Sequence, residues 1–220
     1  MPRLLFEKKG NAVWISHLDL MRVFQRAFKR ADLPLTHTKG FNPRPSVSIA
    51  LPLSVGIESS CELLDFELEG EPVPCGEILT RLNEGLIRGV RVLSVYEDGR
   101  KIKFLSLLDC TVTLEYDNGV PQDAESRIRE LFGREEVSVE KKSKSQGLIR
   151  QNIIPMIKKL EISRISDREL ELRMRICCQN PTLNPMQVPA AIENYLPELK
   201  PDFVRCARLE IYDDQETIFR

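Results

Sequence analysis

The 220-residue sequence contains few of the residues on which most enzyme active sites depend. It has only two histidines and one tryptophan, and the motifs GxGxxG, GxxxxGK[ST], GxSxG and HExxH do not occur in it. These absences argue against a dinucleotide-binding site, a P-loop, a hydrolase nucleophile elbow and a zincin site. No apolar run approaches the roughly 20 residues that a membrane-spanning helix needs, so we expect no membrane partner.

The six cysteines show no spacing typical of metal binding. They form no CxxC pair and no CxxxCxxC run, which argues against a zinc site or a local iron–sulfur cluster. Lys8 and Lys9 interrupt the opening apolar stretch, so we expect no signal peptide. The sequence therefore predicts free thiols, a cytoplasmic location, and no metal or cofactor bound by this chain.

The formal net charge of −1 conceals a strong local asymmetry. Residues 1–50 hold nine lysines and arginines against three acidic residues, whereas residues 56–85 hold eight acidic residues against Arg81 alone. Residues 141–160 contain six basic residues and no acidic one. Local charge is consequently more informative about binding partners than the total.

Hydrophobic periodicity predicts the order β-α-β-β-α-β, followed by a second copy of it. Strands are expected at 4–6 (extended or re-entered at 12–15), 46–53, 61–70, 90–96, 110–116, 137–141, 170–178 and 204–213, and helices at 17–31, 76–86, 124–133 and 186–196. Ser16 and Asp19 form a capping-box signature at the start of the first helix.

This order predicts an α+β fold of two tandem ferredoxin-like (βαββαβ) units with antiparallel sheets. We place the first unit at 1–98 and the second at 104–220, because residues 97–103 are polar. The second unit carries a basic insertion, 141–160, between its two middle strands.

The segment HTKGFNPRPS, residues 37–46, connects the first helix to the next strand and contains no acidic side chain. Gly40 permits backbone angles that a side chain would forbid, while Pro43 and Pro45 restrict the chain around them. A loop restricted in this way presents Lys39 and Arg44 in a nearly fixed arrangement, at a small entropic cost on binding. Phe41 at its centre fits either burial in the core or an exposed stacking position.

Basic residues of one sign recur at helical spacing next to this loop, where a purely solvated helix face would usually mix both signs. Basic groups with an interleaved aromatic and glycine are what a phosphodiester backbone and stacked bases require. We therefore predict a nucleic-acid-binding surface formed by Arg22, Arg26, Lys29, Lys39, Phe41 and Arg44, with Lys141, Lys142 and Lys144 of the insertion. A solvated face without a ligand is the alternative.

Residues 3–69, above all the runs SHLDLMR, GFNPRP and LPLSVGIES, resemble the radical-SAM-linked proteins, an uncharacterised bacterial family. Its members occur alone or fused behind a cobalamin-binding radical SAM protein. The resemblance implies an accessory protein that serves a radical SAM enzyme acting on RNA or on the translation apparatus. That partner, and not this chain, would carry the iron–sulfur cluster, S-adenosylmethionine and, in the fused members, cobalamin.

Three functions therefore remain open from the sequence. The first is an accessory module that binds RNA or an RNA-containing assembly. The second is a module that docks on the radical SAM enzyme without nucleic acid, through the acidic segment 62–71 or the basic first helix. The third is a metal-independent endoribonuclease with His17 or His37 as the base, and Lys39 or Arg44 stabilising the phosphorane. Isolated histidines near helix starts are usually structural, so we expect no catalysis by this chain alone.

Overall fold

The computed structural model describes residues 1–143 and 147–220, the side chains of residues 142 and 143 excepted. The chain divides into two compact units, Met1–Ile102 with Arg220, and Lys103–Phe219. In both units helices accompany antiparallel sheets, so the predicted α+β class is confirmed.

The first unit has a four-stranded antiparallel sheet and two helices. Its elements are β1 (Arg3–Lys8), α1 (His17–Arg30), β2 (Val47–Ile49), β3 (Ile57–Phe66), α2 (Cys75–Gly85) and β4 (Val90–Tyr96). The strands lie in the order β4-β1-β3-β2, and every neighbouring pair is antiparallel.

Helix α1 is fixed to the sheet by a continuous apolar face. The rings of Phe6 in β1 and Phe24 in α1 meet edge to face, with their centroids 4.7 Å apart. One turn further along, the Phe28 ring lies 5.0 Å from that of Phe66 in β3. At the start of α1, Ser16 Oγ accepts a 3.2 Å hydrogen bond from the Asp19 amide, as the predicted capping box requires. Since this face is buried, the basic residues of α1 lie on its outer side.

Three predicted strands of the first unit differ from the structure. The one predicted at 61–70 lies four residues earlier, at Ile57–Phe66. Residues 12–15 do not extend β1, because the chain turns at Gly10, which has a φ of +56°, into a short 3-10 helix, Gly10–Trp14. The predicted strand at 46–53 is a regular strand only over Val47–Ile49, after which the Ala50 amide still donates to the Leu63 carbonyl at 3.0 Å. Pro52 lacks the amide hydrogen needed to continue the ladder, so β2 remains short.

The second unit has a four-stranded antiparallel sheet, two helices and a separate hairpin. Its elements are β5 (Leu107–Glu115), α3 (Ala124–Phe132), β6 (Ser138–Ser143), β7 (Gly147–Asn152), β8 (Ile157–Arg164), β9 (Glu169–Cys177), α4 (Gln187–Tyr195) and β10 (Phe203–Tyr212). The sheet order is β10-β5-β9-β8, and β6 pairs only with β7.

The predicted position of the second strand in this unit is wrong. Residues 137–141 fall in β6, which leaves the sheet and contacts α4, where the Tyr195 hydroxyl accepts a 3.0 Å hydrogen bond from the Ser138 amide. The strand that pairs with β9 is β8, whose first half lies in the predicted basic insertion 141–160. Residues 137–141 and β8 both alternate apolar and polar residues. Leu160 and Ile162 of β8 face inwards, but the lysines of the same strand make its sequence resemble an exposed basic segment.

All six cysteines lie within the described residues, and none of them forms a disulfide. Among residues 1–143 and 147–220, no helix has the length and apolar character that crossing a bilayer requires.

Candidate functional site

Backbone pairing fixes the base of the 37–46 loop. The Thr36 amide donates to the Glu67 carbonyl at 2.9 Å, and the Ser46 amide donates to the Thr36 carbonyl at 2.7 Å. One step further out, the Thr38 amide donates to the Arg44 carbonyl at 2.8 Å, and Thr38 Oγ1 accepts from the Arg44 amide at 3.0 Å. The loop is therefore anchored next to β3, and only residues 39–43 form its projecting tip.

The tip presents an aromatic ring to solvent. Phe41 is fully exposed, so the alternative that it is buried in the core is wrong. Gly40 beside it has a φ of +142°, which favours glycine, and a Cβ there would meet no atom within 4 Å. Glycine is thus required at this position by backbone geometry, and the turn it permits leaves the Phe41 ring outside.

Four of the predicted cations have no carboxylate partner among the residues that the structure describes. Arg26 and Lys29 of α1 are exposed, as are Lys39 and Arg44 of the loop, and no side-chain ion pair involves any of them within 1–143 and 147–220. These four residues are called the basic face below. Arg22 differs from them, because its Nη1 lies 2.7 Å from Asp19 Oδ1.

An open pocket of about 510 Å³ joins α1 to the loop. Its buried floor is apolar and includes Phe28, Leu33 and Leu35. The remaining lining residues are polar, charged or proline: Gln25, Arg26, Lys29, Asp32, Pro34, His37, Pro45 and Glu69. The pocket therefore brings the two helix cations of the basic face to the stem of the loop that carries the other two.

The two histidines do not share a site. His37 lines the pocket, and its Nδ1 lies 3.8 Å from Glu69 Oε1, beyond hydrogen-bonding distance. His17 begins α1, twelve residues before Lys29, which corresponds to about 18 Å along the helix axis. A base at His17 is thus remote from the pocket, and only His37 lies near a cation of the basic face.

The second predicted basic segment is described only in part. Lys141 Nζ donates to the Thr182 carbonyl at 3.3 Å, so this side chain is held within its own unit. Lys142 belongs to β6 by its backbone, but its side chain is not among those described, and Lys144 lies outside the described residues. The roles of Lys141, Lys142 and Lys144 in binding stay predictions.

Carboxylates of the acidic segment 62–71 form hydrogen bonds within the first unit. Asp65 accepts two hydrogen bonds from the Arg3 guanidinium, at 2.6 and 3.1 Å. Glu67 accepts a 3.1 Å bond from the Thr36 hydroxyl at the base of the loop. Part of this segment therefore anchors the loop and the sheet instead of forming a free acidic stripe.

The pocket lining includes three residues that the sequence did not assign to the nucleic-acid-binding surface, namely Gln25, Asp32 and Glu69 of the acidic segment. Asp32 could have been suspected, because Asp tolerates the positive φ, here +52°, that ends a helix before Pro34. Gln25 and Glu69 carry no such signal. No group of three or more histidines, cysteines or carboxylates arranged for a metal ion occurs among the described residues.

A family model described as "Uncharacterized protein conserved in bacteria (DUF2344)" matches residues 2–185. The chain belongs to this family. All of the basic face and all of the pocket lining of this DUF2344 protein fall within the matched range. No curated protein matches the sequence.

Two solved structures contain chains that are similar to this one. A chain in the crystal structure of a Cbf5–Nop10–Gar1 complex superposes with a TM-score of 0.53 at 9% identity, over 96% of the DUF2344 chain and 48% of its own length. A chain of an H/ACA RNP bound to a substrate RNA gives a TM-score of 0.48 at 9% identity, over 94% of the DUF2344 chain and 46% of its own. The protein thus spans about half the length of these chains, and at such identity the first likeness shows the fold alone.

Proposed function

We propose that this protein is an RNA-binding accessory module that holds RNA, or an RNA-containing assembly, on its basic face. The observation that carries the proposal is that Arg26, Lys29, Lys39 and Arg44 are exposed without a carboxylate partner among the described residues, around a loop whose base is fixed. A solvated surface normally intersperses opposite charges, whereas unpaired cations of one sign attract a polyanion.

Binding of single-stranded RNA needs cations for the backbone and flat faces for the bases. The basic face supplies the first, and the exposed Phe41 ring at the loop tip supplies the second. Because hydrogen bonds at Thr38 and Arg44 already fix the loop stem, little conformational entropy is lost when the RNA binds.

The scaffold we propose for this function is a pair of ferredoxin-like units at 1–98 and 104–220. The strand orders β4-β1-β3-β2 and β10-β5-β9-β8 support it, since each sheet places the first and third strands of its βαββαβ unit at the centre. In the second unit the β6–β7 hairpin is then the insertion between α3 and β8.

The partner we propose is a cytoplasmic radical SAM enzyme, to which this protein would present the RNA. This part rests on the resemblance of residues 3–69 to the radical-SAM-linked proteins. The radical chemistry and its cofactors would belong to the partner, while this chain contributes binding and positioning of the substrate.

The two other functions receive less support from the geometry. A docking module built on the acidic segment would need free carboxylates, but Asp65 and Glu67 are engaged within their own unit. An endoribonuclease would need a base held against a cation, and His37 is the single histidine near the basic face, 3.8 Å from Glu69 and without a hydrogen bond to it.

The proposal predicts a salt-dependent affinity for single-stranded RNA. Four phosphate contacts correspond to a slope of about −3 in a plot of log K against log salt, or roughly a 50-fold loss between 50 and 200 mM. Fluorescence anisotropy with a fluorescein-labelled 20-nucleotide RNA of mixed sequence measures this slope. The Arg81→Ala variant is the control, because Arg81 already pairs with Glu77, and its slope should match that of the wild type. Absence of binding at 50 mM salt, or an affinity that does not change with the salt concentration, would contradict the proposal.

A further inference from the structure

The pocket beside the basic face has the size and the lining of a ligand site. Its volume of about 510 Å³ lies within the range of small-molecule pockets, and buried apolar side chains form its floor. We infer that this pocket receives one unpaired purine of the bound RNA, with the base inside and its phosphate at the rim. This inference rests on the proposed function and names the part of the RNA that the site recognises.

Charge determines which way a nucleotide would enter. Arg26 and Lys29 of α1 line the pocket and are exposed, and neither has a carboxylate partner among the described residues, so both can contact a phosphate. Asp32 and Glu69 also line the pocket, and their negative charges would repel a phosphate placed between them. The phosphate is therefore expected beside Arg26 and Lys29, and the neutral base beside the two carboxylates and the buried apolar floor.

The floor suits the face of a base. Phe28, Leu33 and Leu35 are buried and offer only carbon atoms to the pocket. Pro34 and Pro45 add two rings without amide hydrogens to its wall. A base leaves water at little cost in such a site, provided that polar groups meet the donors and acceptors on its edge.

Polar groups of the lining match a base that carries an amine. The carboxylates of Asp32 and Glu69 accept hydrogen bonds but cannot donate them, so they favour the amino hydrogens of adenine and the amino and imino hydrogens of guanine. Uracil has no amine and offers the carboxylates a single imino hydrogen between two carbonyl oxygens, so it makes fewer hydrogen bonds with them. The Gln25 amide both donates and accepts, and no partner for this side chain occurs in the described part of the chain.

The test uses two RNA hairpins that differ only in one loop nucleotide. One has a loop of six uridines, and in the other the third uridine is replaced by guanosine. We expect the 220-residue protein to bind the guanosine loop about 10-fold more tightly than the uridine loop, from hydrogen bonds to one base edge. Gln25→Trp, which fills the pocket from α1 without a change in charge, should bind both hairpins equally.

Leu18→Trp is the matched control, because it adds the same side chain at an exposed position of α1 outside the pocket. It should keep the 10-fold preference. Asp32→Asn is a second variant, whose new residue also tolerates the positive φ there, and it should reduce the preference several-fold. A wild type without preference, or a preference that survives in Gln25→Trp, would overturn the inference.

This failure can be told apart from failure of the proposed function. If the basic face is not an RNA site, the wild type binds neither hairpin at low salt. If both hairpins bind equally and with a steep salt dependence, only the purine pocket is wrong. Competition with GMP identifies the source of the nucleotide: we expect GMP to compete only at concentrations at least ~100-fold above the Kd for RNA, since it lacks the further phosphates. If GMP competes at concentrations near that Kd, the ligand of the pocket is a free nucleotide and not RNA.

Discussion

Replacing Arg26, Lys29, Lys39 and Arg44 together by alanine is expected to weaken RNA binding by about 100-fold or more near 0.1 M salt. Each of these cations is exposed and lacks a carboxylate partner among the described residues, so each is available to displace counterions from a phosphate. The salt slope should fall towards zero in the same variant, because fewer counterions are released. Fluorescence anisotropy over a salt series measures both quantities.

The control for this variant removes four cations that already pair with carboxylates. In Lys9→Ala/Arg81→Ala/Arg127→Ala/Lys200→Ala the net charge changes equally, but the lost partners are Glu7, Glu77, Glu198 and Glu193. We expect the control to retain RNA binding within about 5-fold of the wild type, since exposed paired charges contribute little. Equal losses in the two variants would show that net charge alone, and not the basic face, determines binding.

Arg3→Met is expected to destabilise the first unit by about 3 kcal/mol. The Arg3 side chain is 4% exposed and bonds Asp65 Oδ1 at 2.6 Å, Asp65 Oδ2 at 3.1 Å and the Arg100 carbonyl at 2.8 Å. Removing it leaves the mostly buried Asp65 carboxylate without this counter-charge, and the free energy of unfolding falls because that charge is poorly solvated.

The chain's single tryptophan reports this change directly. Trp14 lies in the first unit beside Gly56, so its fluorescence during urea unfolding follows that unit. The double variant Arg3→Met/Asp65→Leu, in which no charge is left unpaired at the site, should unfold within about 1 kcal/mol of the wild type. If the single variant is as stable as the wild type, the ion pair does not stabilise the unit.

Much of the first unit could be predicted because its signals are local. The Ser16–Asp19 capping box and the apolar period of α1 specify both the start of the helix and its buried face. Strand β4 has the predicted bounds, since a clean alternation is flanked by polar residues. The exposed position of the basic residues of α1 follows from the same period, because helix positions that do not face the sheet face solvent.

What the sequence could not supply depends on contacts between distant residues. Residues 137–141 and β8 both alternate, and only the packing of β6 on α4, through Ser138 and Tyr195, decides which of them joins the sheet. Likewise, the pattern of α1 does not show that Arg22 pairs with Asp19 while Arg26 does not. The pocket is lined by both Gln25 and Glu69, which are 44 residues apart in the sequence, and no periodicity links the two.

The central claim is that RNA lies against the 37–46 loop, and photo-cross-linking locates it most directly. RNA containing 4-thiouridine, irradiated in complex with the protein, should cross-link to Phe41, in the tryptic peptide that begins at Gly40. The cross-link should disappear in Phe41→Ala and persist in Phe104→Ala, which removes another exposed aromatic ring. Cross-links confined to residues 141–160, with none in the peptide from Gly40, would contradict the account.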